Sequence, residues 1–167
     1  QMVMIWLQGM AHAVWHQNAP LQWTTPCGLP VLNEYNYFDK KTIHTASAGS
    51  RRVRQEVRPP NRMSDNKQQN AIVANIFQSL DACVVVKTVN SCAAQVAPTF
   101  DAFVAHAADM PSVHAAVRRA TYDVFRSCDA NTLVKSLASN SESLTITSIR
   151  LGDYDPSEIL TSEYAYS

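Results

Sequence analysis

The stretch Gln69-Asn-Ala-Ile-Val-Ala-Asn-Ile-Phe-Gln-Ser-Leu-Asp-Ala-Cys-Val-Val-Val-Lys-Thr-Val-Asn90 carries the clearest structural signal in the chain. Ile72, Val73, Ile76, Phe77, Leu80, Cys83 and Val84 recur at intervals of three and four, the period of a helix that buries one face. The spacing predicts a central core helix over residues 69–90. Downstream, Pro98 followed by Thr99 to His106 predicts a short apolar strand region interrupted by one carboxylate, Asp101. Ser112 is expected to cap the next helix, with Val113, Ala116, Val117, Ala120, Val124 and Phe125 as its buried stripe and Arg118, Arg119 and Arg126 mostly off it. Residues 136–148 are rich in Ser, Thr and Asn, with a strand expected at Leu144–Ile149 and a short helix at Pro156–Thr161.

Upstream, Met2, Ile5, Trp6, Met10, Ala13 and Val14 predict a helix over residues 2–17, ended by Asn18-Ala-Pro20. Gln22–Thr25, then Pro26, Gly28 and Pro30, then Val31 and Leu32, predict strand, turn and strand. Residues 36–68 are polar and lack a core-facing stripe. Lys41–Ala46 and Arg51–Val57 are the expected arms of a hairpin there, with Ala48-Gly-Ser50 at its tip. In the second arm, alternation puts Arg52, Arg54 and Arg58 on one face, suited to phosphate contact or equally to a solvated strand edge. Four segments follow: 1–35, a helix and strand pair; 36–68, the polar hairpin; 69–128, the core helix, a hairpin carrying Asp101 and the following helix; and 129–167, a C-terminal extension.

Composition excludes several function classes. Of 167 residues, 14 are Lys or Arg and 14 are Asp or Glu, so the whole chain lacks the basic excess of a free nucleic-acid-binding domain. With 46% hydrophobic residues the chain can bury one sizeable core. Cys27, Cys83, Cys92 and Cys128 form no CxxC pair, which argues against a zinc or dithiol redox motif and predicts buried free thiols. No apolar run approaches the roughly 20 residues of a membrane span, so a soluble chain is expected. His12 and His16 lie four apart, but the HExxH glutamate is missing and no carboxylate or cysteine shares their spacing. There is neither a Gly-rich phosphate loop nor a Ser-His-Asp arrangement. The first residue is Gln1, so a missing targeting segment carries no information.

The order of several short runs resembles the C-terminal region of the bacteriophage- and mitochondrial-type single-subunit RNA polymerases. Leu21-Gln-Trp-Thr-Thr-Pro-Cys-Gly-Leu-Pro-Val31, followed by Tyr35, is similar to a family stretch with a tryptophan and Thr-Pro before Gly-x-Pro-Val. Asn75-Ile-Phe-Gln-Ser-Leu-Asp81 resembles the pattern Asn-Phe-x-His-Ser-x-Asp. Thr99-Phe-Asp-Ala-Phe103 sits where the family carries His-Asp-Ser in the palm. Arg126-Ser-Cys-Asp129 and Glu163-Tyr-Ala-Tyr-Ser167 match the post-helical tetrapeptide and the aromatic C-terminus.

The resemblance implies an α+β fold: part of a polymerase palm, a small antiparallel sheet with packed helices, plus a protruding hairpin. It implies that Asp101 is one of two metal-binding aspartates for nucleotidyl transfer with Mg2+, the second carboxylate lying outside this chain. Gln78 stands where the family has a histidine near the nascent base pair, and a glutamine can still donate to a base edge. Arg52, Arg54 and Arg58 fall in the hairpin that contacts promoter DNA in the phage enzymes. Phe100 and Ala102 replace the histidine and serine beside Asp101.

Two functions are consistent with these residues. One is the C-terminal part of a DNA-directed RNA polymerase, inactive in isolation and completed by the missing palm and fingers segments, with DNA template and RNA product as partners. The other is an inert relic, a structural subunit of an organellar assembly such as the mitochondrial ribosome, bound to ribosomal RNA and proteins. The compartment implied is the mitochondrion, with a plastid or the bacterial host of a phage as alternatives, and no membrane partner. From the residues alone Asp101 is either a ligand-bearing carboxylate in an apolar strand or an ordinary exposed turn residue. An apolar surface is expected where the rest of the palm would dock, so the isolated chain should not be a stable monomer.

Overall fold

A computed structural model describes residues 2–17, 19–45, 51–57, 62–139 and 152–165. The elements run α1 (Met2–Trp15), β1 (Leu21–Thr24), β2 (Pro30–Asn33), β3 (Asp39–Thr45), β4 (Arg51–Val57), α2 (Asp65–Ser91), β5 (Val96–Thr99), β6 (Ala102–Ala105), α3 (Met110–Ser127), α4 (Ala130–Ser139) and α5 (Glu158–Thr161). The strands form three two-stranded sheets, β1-β2, β3-β4 and β5-β6, so the architecture is mixed, with small antiparallel sheets and packed helices.

The chain divides into two compact units, one of residues 1–21 with 33–73 and one of residues 22–32 with 74–167. In the first unit α1 buries Leu7, Met10, Ala11 and Val14. The Trp15 indole donates to the Met63 carbonyl at 3.0 Å, tying the end of α1 to the segment that leads into α2. The buried Asn33 amide donates to the backbone and side-chain oxygens of Gln68, so two polar side chains satisfy each other inside the unit. β3 and β4 pair antiparallel, Asp39 opposite Val57 through Thr45 opposite Arg51, two residues earlier in the first arm than the sequence suggests.

In the second unit the core contains Trp23, Ile76, Leu80 and Cys83 with Val113, Val117, Ala120 and Val124 of α3. The Trp23 indole donates to Ser79 Oγ at 3.1 Å, and Ser79 in turn donates to the Ile76 carbonyl at 2.7 Å. A bulky ring on one side of the core is thereby fixed to one turn of α2. Between β1 and β2, Gly28 turns the chain at φ +85, a conformation open to glycine and strained for other residues.

Several expectations are corrected. α2 is 27 residues long and begins at Asp65, ahead of the apolar stripe, because Asp65 to Gln69 are polar residues on the first helical turn. Its most apolar 18-residue window has a mean hydropathy of 1.5, so by length and composition α2 could cross a membrane, contrary to the expectation that no run approaches that length. Ile72, Ile76, Leu80, Cys83 and Thr88 are nevertheless buried along one stripe, while Asp81 and Lys87 interrupt the run with charge. The sequence pattern also places Phe77 and Phe125 in the core, yet they are 52% and 38% exposed.

α3 is not capped by Ser112. A single 3-10 turn at Ala107–Asp109 leads directly into it, Pro111 occupies its first turn, and the Ser112 hydroxyl donates back to the Asp109 carbonyl at 2.8 Å. α4 was not expected at all. The Asp129 carboxylate accepts from the Thr132 amide at 2.6 Å and so satisfies one of the free N–H groups at the start of α4. α5 packs on α3, where the Arg118 guanidinium donates to the carbonyls of Leu160 and Ser162. Only Cys83 among the cysteines is fully buried; Cys27, Cys92 and Cys128 are half-buried. The strand expected at Leu144–Ile149 lies outside the described residues.

Candidate functional site

β5 and β6 form a hairpin in register from Val96 opposite Ala105 to Thr99 opposite Ala102, with Phe100 and Asp101 as its two-residue turn. The region is therefore two strands and a tip, with Asp101 at the tip. The reason is steric. Pro98 cannot donate to a central ladder but is tolerated in a two-stranded hairpin, where it sits opposite Phe103. Phe100 has φ +56, the left-handed region that tight hairpin turns use and that Gly or Asn ordinarily supplies. Its side chain is 92% exposed. Asp101 is exposed beside it, and no hydrogen bond or ion pair from the described residues engages its carboxylate.

Asp101 lines a cavity of about 690 Å3 together with Gln78 and Asp81 of α2. Gln78 and Asp81 are three residues apart on the helix and so share a face. Phe100, Phe103, Val84, Val85, Val117 and Phe125 supply apolar wall, and both Gln78 and Asp81 are exposed to solvent. The structure thus brings Gln78 and Asp101 to one place across 23 residues of sequence. Asp81 was missed as a site residue, although its i+3 spacing from Gln78 and its place at the end of the Asn75–Asp81 pattern could have singled it out. Apolar surface continues beside the cavity: Phe77, Val86 and Val89 of α2 and Val104 of β6 are all exposed.

The donor set fits part of a divalent-cation site. Asp101 offers a hard carboxylate oxygen that no described residue engages, and Asp81 is a second carboxylate on the same cavity. No group of three ligating side chains occurs among the described residues, so these residues alone do not hold a metal ion.

The arginines lie elsewhere. Arg52 stands opposite His44 and Arg54 opposite Thr42 in the β3-β4 ladder, two positions apart and hence on one face of the strand. Arg58 lies outside the described residues. A carboxylate distant in sequence reaches the histidine pair: His12 Nδ1 is 3.0 Å from Asp65, and His12 Nε2 is 3.2 Å from His16 Nε2. Burial alone would raise the Asp65 carboxyl, but hydrogen bonds from Gln69 and His12 hold it below the ordinary value. The contact was invisible in sequence because 53 residues separate its partners.

The family model described as DNA-dependent RNA polymerase matches residues 1–166. The chain is 29% identical over 168 residues to the chloroplastic DNA-directed RNA polymerase 3 of Nicotiana sylvestris, covering 98% of this chain and 17% of that protein. It is 25% identical over 169 residues to DNA-directed RNA polymerase 2A of Nicotiana tabacum, covering 99% of this chain and 50% of the relative. Against the mitochondrial DNA-directed RNA polymerase 1 of Nicotiana sylvestris the identity is 25%, over 99% of this chain and 16% of the relative. The chain therefore spans half or less of each of these relatives.

Proposed function

Since the chain belongs to the DNA-dependent RNA polymerase family of the phage and mitochondrial single-subunit type, we propose that its β5-β6 hairpin and α2 form part of a palm, and that Asp101 serves nucleotidyl transfer there. The observation that carries this reading is the shared cavity: Gln78 and Asp101, drawn from separate segments, face one space of about 690 Å3. In such a site two divalent ions activate the attacking hydroxyl and hold the triphosphate. Asp101 would offer one oxygen ligand from the hairpin tip, where an exposed carboxylate keeps its lone pairs available. Mg2+ suits such hard oxygen donors. A further carboxylate from outside these residues completes the set.

Gln78 has an amide that can donate to an acceptor on a base edge, and its place on a rigid helix would fix the approach of the terminal base pair. Val117, Phe103 and Phe125 form an apolar wall that limits water near the reacting groups. The partners under this reading are a DNA template, an RNA product and the polymerase segments that dock on the exposed apolar side chains beside the cavity. The compartment is an organelle, mitochondrion or plastid, in keeping with the names of the relatives. Arg52 and Arg54 would contact nucleic-acid phosphates from the β3-β4 hairpin.

A second reading has its own support. Phe100 holds a strained turn conformation with an exposed aromatic ring at the position next to the carboxylate, an arrangement with no evident use in catalysis. It favours an inert relic retained as a structural subunit of an organellar assembly such as the mitochondrial ribosome.

The experiment is Asp101→Asn in the protein isolated with whatever accompanies it. Under the polymerase reading, template-dependent RNA synthesis falls at least about 100-fold, because several kcal/mol of charge stabilisation is lost, and the co-purifying material carries the further carboxylate. Unchanged synthesis by the variant overturns that reading. Co-purification with ribosomal RNA and ribosomal proteins, without synthesis by either form, establishes the relic.

A further inference from the structure

Cys27, in the turn between β1 and β2, and Cys83, on α2, bring their sulfur atoms to 2.7 Å across 56 residues of sequence. Both belong to the second unit. That separation is shorter than ordinary contact between two sulfurs and longer than the roughly 2.05 Å of a disulfide bond. At this distance the two are free thiols. Two thiols from distant segments rarely meet by accident in a core, where each would otherwise be expected to pack against carbon.

The two thiols are chemically unequal. Cys27 is half-buried and within reach of small solutes, whereas Cys83 is fully buried. Burial pushes the Cys27 thiol up, but hydrogen bonds from Cys83, from the Thr25 hydroxyl and from the Leu29 backbone together bring it below the ordinary value. Burial pushes the Cys83 thiol up, and its hydrogen bond to Cys27 adds to the effect. The third thiol of the neighbourhood, Cys128, is raised by burial and then by the charges of Asp129 and Cys83. Of the three, Cys27 is the one disposed to react as thiolate and to be reached from outside.

We propose that Cys27 and Cys83 form a reversible redox modification site, closing to a disulfide when the protein meets an oxidised low-molecular-weight disulfide such as oxidised glutathione. The Cys27 thiolate attacks one sulfur of that molecule; a mixed disulfide forms as the original sulfur–sulfur bond breaks and one thiol leaves. Cys83 then loses its proton and attacks the Cys27 sulfur. The mixed bond breaks, a second thiol leaves, and the Cys27–Cys83 bond remains. Two cysteine thiols are oxidised, one small disulfide is reduced to two thiols, and the two cysteine protons end on the released thiols. The structural result is a covalent tie between the β1-β2 turn and the stretch of α2 that carries Gln78 and Asp81.

The test is thiol trapping and peptide mapping on the protein as its own cells make it, equilibrated in buffers of graded reduced and oxidised glutathione. The expected result is joint loss of alkylation at Cys27 and Cys83, a peptide pair linked through those two residues, and reversal by excess reduced glutathione. Cys27→Ser should abolish the linked pair and Cys92→Ser should leave it intact. The oxidised form should melt roughly 10 °C higher, as expected for closing a loop of this length in a chain of this size. Continued alkylation of both thiols in fully oxidised glutathione overturns the proposal. So does a stable glutathione adduct on Cys27, or a bond between Cys83 and Cys128.

Discussion

Replacing Phe100 with Asn should make the protein more stable, although it deletes a large apolar side chain. At φ +56 the Phe100 backbone carries a steric penalty of about 1–2 kcal/mol, because its Cβ crowds the following carbonyl. Asn visits the same region far more readily, since its short polar side chain can bond locally. Against that gain stands whatever the phenyl ring contributes by burial. The ring contributes little, since the residue is 92% exposed. The net expectation is a gain of roughly 0.5–1 kcal/mol, equivalent to about 1–4 °C in a chain of this length. Urea unfolding followed by circular dichroism would show a higher midpoint with an unchanged slope. A loss of 1 kcal/mol or more would refute the reasoning. It would mean that the ring closes over the cavity it borders and that the turn strain is outweighed by packing. Phe100→His, which restores the residue the family carries beside this aspartate, should also be stabilising, though by less.

Other expectations are simpler to state. Trp23→Phe removes the indole bond to Ser79 and shrinks a fully buried side chain, and should cost roughly 2–4 kcal/mol in chemical denaturation. Leu137→Ala in α4, at 1% exposure, should cost a similar amount by the same assay. Asp129→Ala should cost about 1 kcal/mol at neutral pH through loss of the α4 cap. The Thr132 backbone amide holds the Asp129 carboxyl below its ordinary value of 3.8, so its contribution is present above that pH and lost as pH falls through the lower folded value. The two proteins should therefore converge in stability in acid, as thermal melts across pH 2–7 would show. Substituting Arg52 and Arg54 together by Gln should flatten the salt dependence of nucleic-acid binding by about two in logarithmic slope if both contact phosphate; an unchanged slope in a filter-binding series excludes that role.

The helices α1, α2 and α3 were readable because their apolar stripes have the period of a helix, and β1-β2 because Pro26, Gly28 and Pro30 punctuate it. α4 was passed over because it is short: Leu133, Val134 and Leu137 are the large apolar residues between Ala130 and Ser139, too few to display a period, and its start is marked by Asp129, whose cap acts only once the chain is folded. The turn of the Asp101 hairpin is poorly announced in sequence, since Phe100 stands where Gly or Asn normally would. Of the candidate site, Gln78 and Asp101 were singled out by resemblance to a family pattern. That they face one cavity was not legible, since periodicity reports which face of an element is apolar and not which elements meet. Phe77 and Phe125 show the converse error: their spacing fits a buried stripe, yet they stand in solvent. The same limit hid the contacts of His12 with Asp65 and of Cys27 with Cys83.

The discontinuity of the second unit has a consequence for the ribosome. Trp23 belongs to a core whose other walls are α2, α3 and α4, and the Thr24 amide reaches Ser136 Oγ at 3.2 Å across 112 residues. At roughly 5–20 residues per second, that interval takes on the order of 5–20 s to synthesise. Throughout it the β1-β2 segment has emerged without the helices that bury its tryptophan. Chaperones that recognise exposed aromatic segments thus have a defined window in which to act, opened when Trp23 leaves the exit tunnel and closed when α4 does.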